Sequence, residues 1–232
     1  MMNRKIIITG SSRGIGRYLR EYYLKLGDIV FGCSRGKIDF KHKNYIHYPV
    51  DISDEKAVKE MFIEIRTKFR SIDILINNAG IASMNHSLLT KVDTINSIIK
   101  TNFLGTFIFC REAAKIMQNS DFGRIINFST VAVPLNLEGE AIYASSKAAV
   151  VSLTKILSKE FSSFGITVNA LGPTPVKTDL IRSVPKSKIK NLIDMQTIKR
   201  FGEYKDISNV IDFYIAEESD FITGQVLYLG GI

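Results

Sequence analysis

The sequence predicts an α/β fold: a doubly wound parallel sheet of about seven strands with helices on both faces, forming one domain across its 232 residues. Three observations carry this expectation. Short β-branched apolar runs alternate with longer amphipathic stretches, the pattern of βαβ units. The runs contain few polar residues, as strands covered on both faces require. The first run leads directly into a glycine-rich turn and a helix, the local architecture of a phosphate-binding βα unit.

Arg4–Thr9, with Ile6-Ile7-Ile8 at its centre, reads as the first strand. The turn Thr9-Gly10-Ser11-Ser12-Arg13-Gly14-Ile15-Gly16 follows, then a helix to about Leu26. Asp28–Cys33 and Tyr45–Val50 are the second and third strands, the latter closed by Asp51-Ile52. A helix from about Asp54 to Phe69 takes Ser53 as its N-cap. The fourth strand, Ile72–Ile76, ends in Asn77-Asn78-Ala79-Gly80, whose small residues admit a ligand close to the main chain. Helical stretches near Lys91–Lys100 and Phe103–Met117 meet at Asn102, where a polar interruption can expose a backbone carbonyl. Arg124–Phe128 is the fifth strand and ends at Ser129-Thr130. A helix bearing Tyr143 and Lys147 runs to about Phe164, and Ile166–Leu171 is the sixth strand. Thr174–Arg200, lysine-bearing and containing Pro175 and Pro185, reads as a lid with short helices. A helix near Tyr204–Ala216 and a strand at Val226–Leu229 complete the order. In such sheets ligands lie at the carboxyl ends of the strands. Gly10, Arg35, Asp51, Asn78, Thr130 and Pro173 therefore share one edge.

Composition narrows the classes of function. The chain is 45% hydrophobic, with no apolar run of the ~20 residues that span a bilayer. The segment before Gly10 lacks a signal peptide's apolar core, so no membrane or secretory role is expected. Cys33 and Cys110 form no disulfide framework or metal-ligand spacing, which fits a reducing, cytoplasmic setting without a metal. The net charge of +8 suits an anionic cofactor, an acidic carrier protein or plain surface solubility. No basic run interleaved with aromatics supports nucleic-acid binding.

Two places carry chemistry. The glycines of Thr9–Gly16 let the main chain approach a pyrophosphate at a helix N-terminus. About 20 residues on, a dinucleotide site selecting NAD places a carboxylate against the ribose 2′-hydroxyl. Here the strand ends in Cys33-Ser34-Arg35-Gly36, with no carboxylate; Asp39 serves only if the loop folds back. Arg35, helped by Arg13, is suited to a 2′-phosphate, so the cofactor reading is NADP(H). The second place is Tyr143-Ala144-Ser145-Ser146-Lys147. Four residues apart on a helix, the phenol and ammonium share a face, and a fixed cation is expected to lower the phenol's pKa toward use in proton transfer.

Together with Asp51, Asn77–Gly80, Asn102, Gly172-Pro173 with Val176 and Thr178, and Thr223-Gly224-Gln225, these motifs resemble the short-chain dehydrogenase/reductase family over nearly the whole chain. The 3-oxoacyl-carrier-protein reductase branch is the most similar, and Cys33-Ser34-Arg35 is also like NADPH-dependent ketone reductases. The resemblance implies a Rossmann-type fold and a catalytic set of Asn102, Thr130, Tyr143 and Lys147. Tyr143 would protonate the substrate carbonyl as hydride arrives, and Lys147 would lower its pKa and hold the nicotinamide ribose. Asn102 would hold a water that resupplies protons. The family's hydroxyl stands thirteen residues before the tyrosine, which here is Thr130, with Ser129 beside it in the substrate site. The implied cofactor residues are Gly10, Ser12, Arg13, Gly14, Ile15 and Gly16 in the turn, Ser34, Arg35, Asp51 and Ile52 beyond it, and Asn78, Ala79 and Gly80. Tyr143, Lys147, Pro173, Val176 and Thr178 complete them. Thr174 stands where the family commonly has glycine, and Gly230-Gly231-Ile232 lacks the family's usual aspartate.

The expected activity is NADPH-dependent reduction of a ketone or 3-oxoacyl group, with lysines at 186, 188, 190 and 199 available to an acidic acyl-carrier protein. The alternatives are a tailoring reductase of a sugar, nucleotide sugar or polyketide-like ketone, and a catalytically silent NADP(H)-binding protein. The family's assembly implies a homodimer or homotetramer.

Overall fold

The structure is a computed structural model and describes residues 3–120, 122–178 and 184–232. Seven parallel strands form one sheet: β1 (Lys5–Thr9), β2 (Ile29–Ser34), β3 (Tyr45–Pro49), β4 (Ile74–Asn77), β5 (Gly123–Phe128), β6 (Ile166–Gly172) and β7 (Val226–Tyr228). Their order across the sheet is β3-β2-β1-β4-β5-β6-β7. The direction of winding reverses between β1 and β4, the switch point at which such sheets open a ligand crevice.

The register explains how one strand sequence serves two cores. Phe31, Ile7, Leu75, Ile125 and Val168 stand opposite one another along a single row. All five face the layer containing α2 (Glu55–Phe69), α4 (Thr106–Met117) and α6 (Ala141–Glu160). The next row, Ile8, Ile76 and Ile126, faces α1 (Gly14–Lys25) and α8 (Tyr204–Ile215). Alternate side chains thus point to opposite apolar layers, which is why Ile6-Ile7-Ile8 carries no polar residue. Each fully buried side chain of this size contributes about 1.5–3 kcal/mol relative to exposure.

Three local expectations need correction. The N-cap of α2 is Asp54, whose carboxylate accepts from the N–H groups of Lys56 and Ala57, both at 3.1 Å. Ser53 instead bonds Asp51, through its N–H at 2.9 Å and its hydroxyl at 2.7 Å. The helix bearing Tyr143 ends at Glu160, and a separate 3-10 turn covers Ser162–Phe164. Asn102 does not break its helix. α3 (Val92–Ile99) continues through a π-helical turn, Lys100–Gly105, directly into α4. Within the expected lid the described helix is α7 (Lys186–Asp194), and residues 179–183 lie outside the described residues. A short helix absent from the sequence reading, α5 (Ala132–Leu135), follows β5.

Candidate active site

Two adjoining cavities open along the carboxyl ends of the strands, sharing Ile15, Asn78, Gly80 and Thr178 at their border. The first, of about 470 Å³, runs from the glycine turn across β2 and β3. Gly10, Ser12, Arg13, Gly14 and Ile15 line one wall; Ser34, Arg35, Asp51 and Ile52 line another; Asn78, Ala79 and Gly80 form the end. Gly10 and Gly14 adopt φ of +70° and +55°, conformations that a side chain strains. Gly16 lies beneath the cavity, where a Cβ would collide with the Gly10 carbonyl and the Asn78 amide. That amide donates to the Thr9 carbonyl at 3.0 Å, tying the end of β4 to the turn. The third glycine therefore serves close packing of α1 on the turn.

The far end of this cleft is basic. Arg35 and Lys37 line it with Arg13, whereas Asp39 does not. Lys37 was missed in the sequence, though its spacing two residues after Arg35 was the available signal. Burial opposes ionisation of Asp51, but both Ser53 bonds and the charges of Arg35 and Lys100 keep its carboxyl below the ordinary range. Asp51 is thus an anion within reach of the field of the cleft's cations.

The second cavity, of about 450 Å³, is walled by Ser129, Thr130, Tyr143 and Lys147, by Pro173, Thr174 and Val176 after β6, and by Ile189, Leu192 and Met195 around α7. Sheet bonding fixes its floor: the Ser129 N–H donates to the Leu171 carbonyl at 2.8 Å, and that of Val131 to Pro173 at 3.2 Å. This geometry turns Ser129 inward, and its buried hydroxyl has no hydrogen-bond partner among the described residues. Thr130 lines the cavity with Tyr143, and its hydroxyl favours the ionised phenol. Its oxygen accepts from the Ala132 N–H at 3.2 Å, which orients it.

The electrostatics differ from the sequence expectation. Burial pushes the Tyr143 phenol up to about 12, with the Thr130 hydroxyl opposing and the Glu140 carboxylate adding. Burial also pulls the Lys147 ammonium down to about 8. Lys147 donates to the Phe128 carbonyl at 2.8 Å, so its proton is directed at the end of β5 and the expected lowering of the phenol is not seen. A phenol with a raised pKa keeps its proton at neutral pH, the form a proton donor needs.

Asn102 lines neither cavity. It is buried in the π turn, donates to the Ile81 carbonyl and accepts from the Ile81 N–H, both at 2.9 Å, and donates to the Ser146 hydroxyl at 3.0 Å. Its main-chain carbonyl accepts from the Thr106 hydroxyl at 2.8 Å. A Cβ on Gly80 would lie 3.3 Å from the Asn102 carboxamide oxygen and 3.4 Å from the Lys147 ammonium, so all three groups converge there. Ser146 was missed in the sequence; it donates to the Tyr143 carbonyl at 2.7 Å and so links Asn102 to the turn that carries the phenol. Among the described residues no group of His, Cys, Asp and Glu is placed to hold a metal ion, and no helix is long and apolar enough to cross a membrane.

Comparison with known proteins agrees with this arrangement. Residues 36–231 match the family model described as enoyl-(acyl carrier protein) reductase. The 3-oxoacyl-acyl-carrier-protein reductase FabG of Staphylococcus epidermidis is 32% identical over 240 residues, covering 99% of this chain and 98% of that protein. The chloroplastic NADPH-dependent aldehyde reductase 2 of Arabidopsis thaliana is 34% identical over 255 residues, covering 100% and 94%. The structure of ElxO with NADP bound superposes with a TM-score of 0.89 at 32% identity, covering 98% of this chain and 97% of that one. The glycine cradle and the basic cleft fit the same cofactor. The chain belongs to the short-chain dehydrogenase/reductase family and is an NADP(H)-dependent oxidoreductase.

Proposed function

We propose that the chain reduces a ketone or 3-oxoacyl group to the alcohol, with Tyr143 as proton donor. The observation that carries this reading is that Thr130 and Tyr143 line the wall of one cavity that adjoins the cofactor cleft. Both hydroxyls can bond one carbonyl oxygen, Thr130 holding it while Tyr143 passes it a proton. NADPH, when bound, supplies the hydride. Lys147, at the convergence with Gly80 and Asn102, maintains positive charge behind the phenol, and Asn102, bonded to Ile81 and Ser146, fixes the chain around it.

Apolar Ala82, Met84, Val131, Leu137, Ile189 and Leu192 in the cavity suit an acyl chain. Glu138 and Glu140 with Lys188 on the same wall favour a second reading, a tailoring reductase of a hydroxylated ketone. Family membership supports a reducing cytoplasmic setting and a homodimer or homotetramer. An acidic acyl-carrier protein is a fitting partner for the cations of α7. The deciding experiment follows NADPH oxidation with 3-oxoacyl thioesters, carrier-linked and free, beside simple and hydroxylated ketones. Turnover of thioesters, with a steep fall on added salt for the carrier-linked form only, supports the acyl reading. Turnover confined to hydroxylated ketones supports the tailoring reading, and NADPH binding without turnover of any class removes both.

Thr130→Val is expected to lower kcat by about 10²-fold or more while Ser129→Ala stays within about threefold, because of the two hydroxyls only that of Thr130 acts on the phenol's ionisation. Steady-state rates for the two variants check this, and the opposite ranking would assign the hydroxyl to Ser129. Arg35→Ala is expected to weaken NADPH binding by about 10–100-fold and leave NADH within about twofold, since a charge-assisted bond to the 2′-phosphate is lost. Fluorescence titration with both cofactors measures it.

A further inference from the structure

His47 lies on β3 behind the cofactor cleft and lines neither cavity. Its ring is engaged at both nitrogens. Nε2 is 2.9 Å from the Gly36 carbonyl and 3.3 Å from the Ser34 hydroxyl, and Nδ1 is 3.0 Å from the Tyr45 hydroxyl. A carbonyl oxygen only accepts, so Nε2 carries the hydrogen in this contact. In the neutral ring Nδ1 then accepts, the Tyr45 hydroxyl donates to it, and that hydroxyl receives the Ser11 hydroxyl at 3.2 Å. The bonds therefore run in one direction, from Ser11 through Tyr45 and His47 to Gly36. They begin in the glycine turn and end in the loop after β2.

Gly36 is the centre of Arg35-Gly36-Lys37, whose two cations line the basic end of the cleft. A Cβ on Gly36 would meet no atom within 4 Å, so the loop is not held there by packing. It is held by its carbonyl, which receives His47 and, at 3.1 Å, the Ser34 hydroxyl. Further along the loop, Phe40 lies under the buried Arg20 guanidinium at 3.9 Å and against the Tyr45 ring at 5.4 Å. Arg20 also donates to the Ser11 carbonyl at 3.3 Å. The segment carrying Arg35 and Lys37 is thus tied twice to Ser11, once through His47 and once through Arg20.

We propose that His47 is a positioning residue for cofactor selectivity: by fixing the Gly36 carbonyl it holds Arg35 and Lys37 where the 2′-phosphate of NADP(H) binds. Unpinned, the two long side chains must be ordered at the moment of binding, which weakens the phosphate contact. NADH lacks that phosphate and loses little. If His47 only supported the edge strand β3, both cofactors would suffer alike.

Two substitutions separate the two sides of the ring. The carboxamide of His47→Gln reaches the position of Nε2 and can still donate to Gly36, whereas that of His47→Asn reaches only that of Nδ1. Titration of each variant with NADPH and with NADH gives the selectivity ratio. The expected result is a ratio within about 1.5-fold of the parent for His47→Gln and a loss of about tenfold or more for His47→Asn, with NADH affinity nearly constant. Equal weakening of NADPH and NADH in His47→Asn, or an unchanged ratio, would overturn the proposal. Should His47→Asn fail to fold, Tyr45→Phe removes the hydroxyl that orients Nδ1 and keeps the buried ring. It is expected to lower the same ratio about threefold, and no change there overturns the proposal equally.

Discussion

Tyr143→Phe is expected to lower kcat by about 10³-fold while NADPH affinity stays within about threefold. The phenol lines the substrate cavity with Thr130, while the cofactor cleft is built mainly from the glycine turn, the basic loop and Asn78–Gly80. Removing one oxygen deletes the proposed proton donor and leaves that cleft intact. The stability of the free protein should change little, since Tyr143 is half-buried on a cavity wall and its ring is kept. Steady-state rates, a cofactor titration and a melting curve on one preparation test all three statements. A kcat within tenfold of the parent would remove Tyr143 from the chemistry.

Lys147→Met is expected to abolish turnover and to stabilise the protein without cofactor. Burial holds the folded ammonium at about 8 against an ordinary value of 10.5. Below pH 8 both folded and unfolded chains carry the proton, and folding must strip it of water. Between pH 8 and 10.5 the folded chain sheds the proton first, and above 10.5 neither state carries it, so the cost vanishes. That cost is on the order of 3 kcal/mol at neutral pH. Loss of the bond to the Phe128 carbonyl offsets about 1 kcal/mol of the gain. The variant should therefore melt several degrees higher near pH 7, by roughly 2–4 °C per kcal/mol. Its advantage should shrink steadily as the pH rises to 10.5. Melting curves at pH 7 and 10 check this, and a variant less stable at pH 7 than its parent would contradict it.

These two residues mark how far the sequence could be read. The strand–turn–helix order was legible because β-branched runs buried on both faces leave little choice of structure, and Ile6-Ile7-Ile8 feeds two cores from one strand. The carboxyl edge was legible for the same reason: once strand ends are known, Gly10, Arg35, Asp51, Asn78, Thr130 and Pro173 fall together, and all line the two cavities. Site electrostatics were not. The spacing of Tyr143 and Lys147 states that they share a helix face, but not that the ammonium turns to the Phe128 carbonyl. Nor does it state that burial shifts both groups more than they shift each other. Ser53 failed as a cap because Asp54, one residue later, competes better for the open N–H groups, and Ser53 then turns to Asp51. Ser146 and His47 act through contacts made far along the chain, which no local pattern signals.

The π turn at Lys100–Gly105 makes chain length a variable in the site. A π turn closes i to i+5 bonds and so holds one residue more than an α turn spanning the same rise. Deleting one residue there would let α3 and α4 fuse into a continuous α-helix. That is a favourable local outcome: α3 and α4 keep their phase, because the π turn alone holds the extra residue, and only the residues of the turn itself are re-aimed. Asn102 meets Ile81 and Ser146 on one side of that turn, while Ile108 and Phe109 of α4 fill the apolar layer beyond it. A regular helix keeps the second alignment and loses the first. Indels in this segment therefore separate folding from function: the reading frame of the helix, as much as the identity of Asn102, is what places the carboxamide beside Lys147.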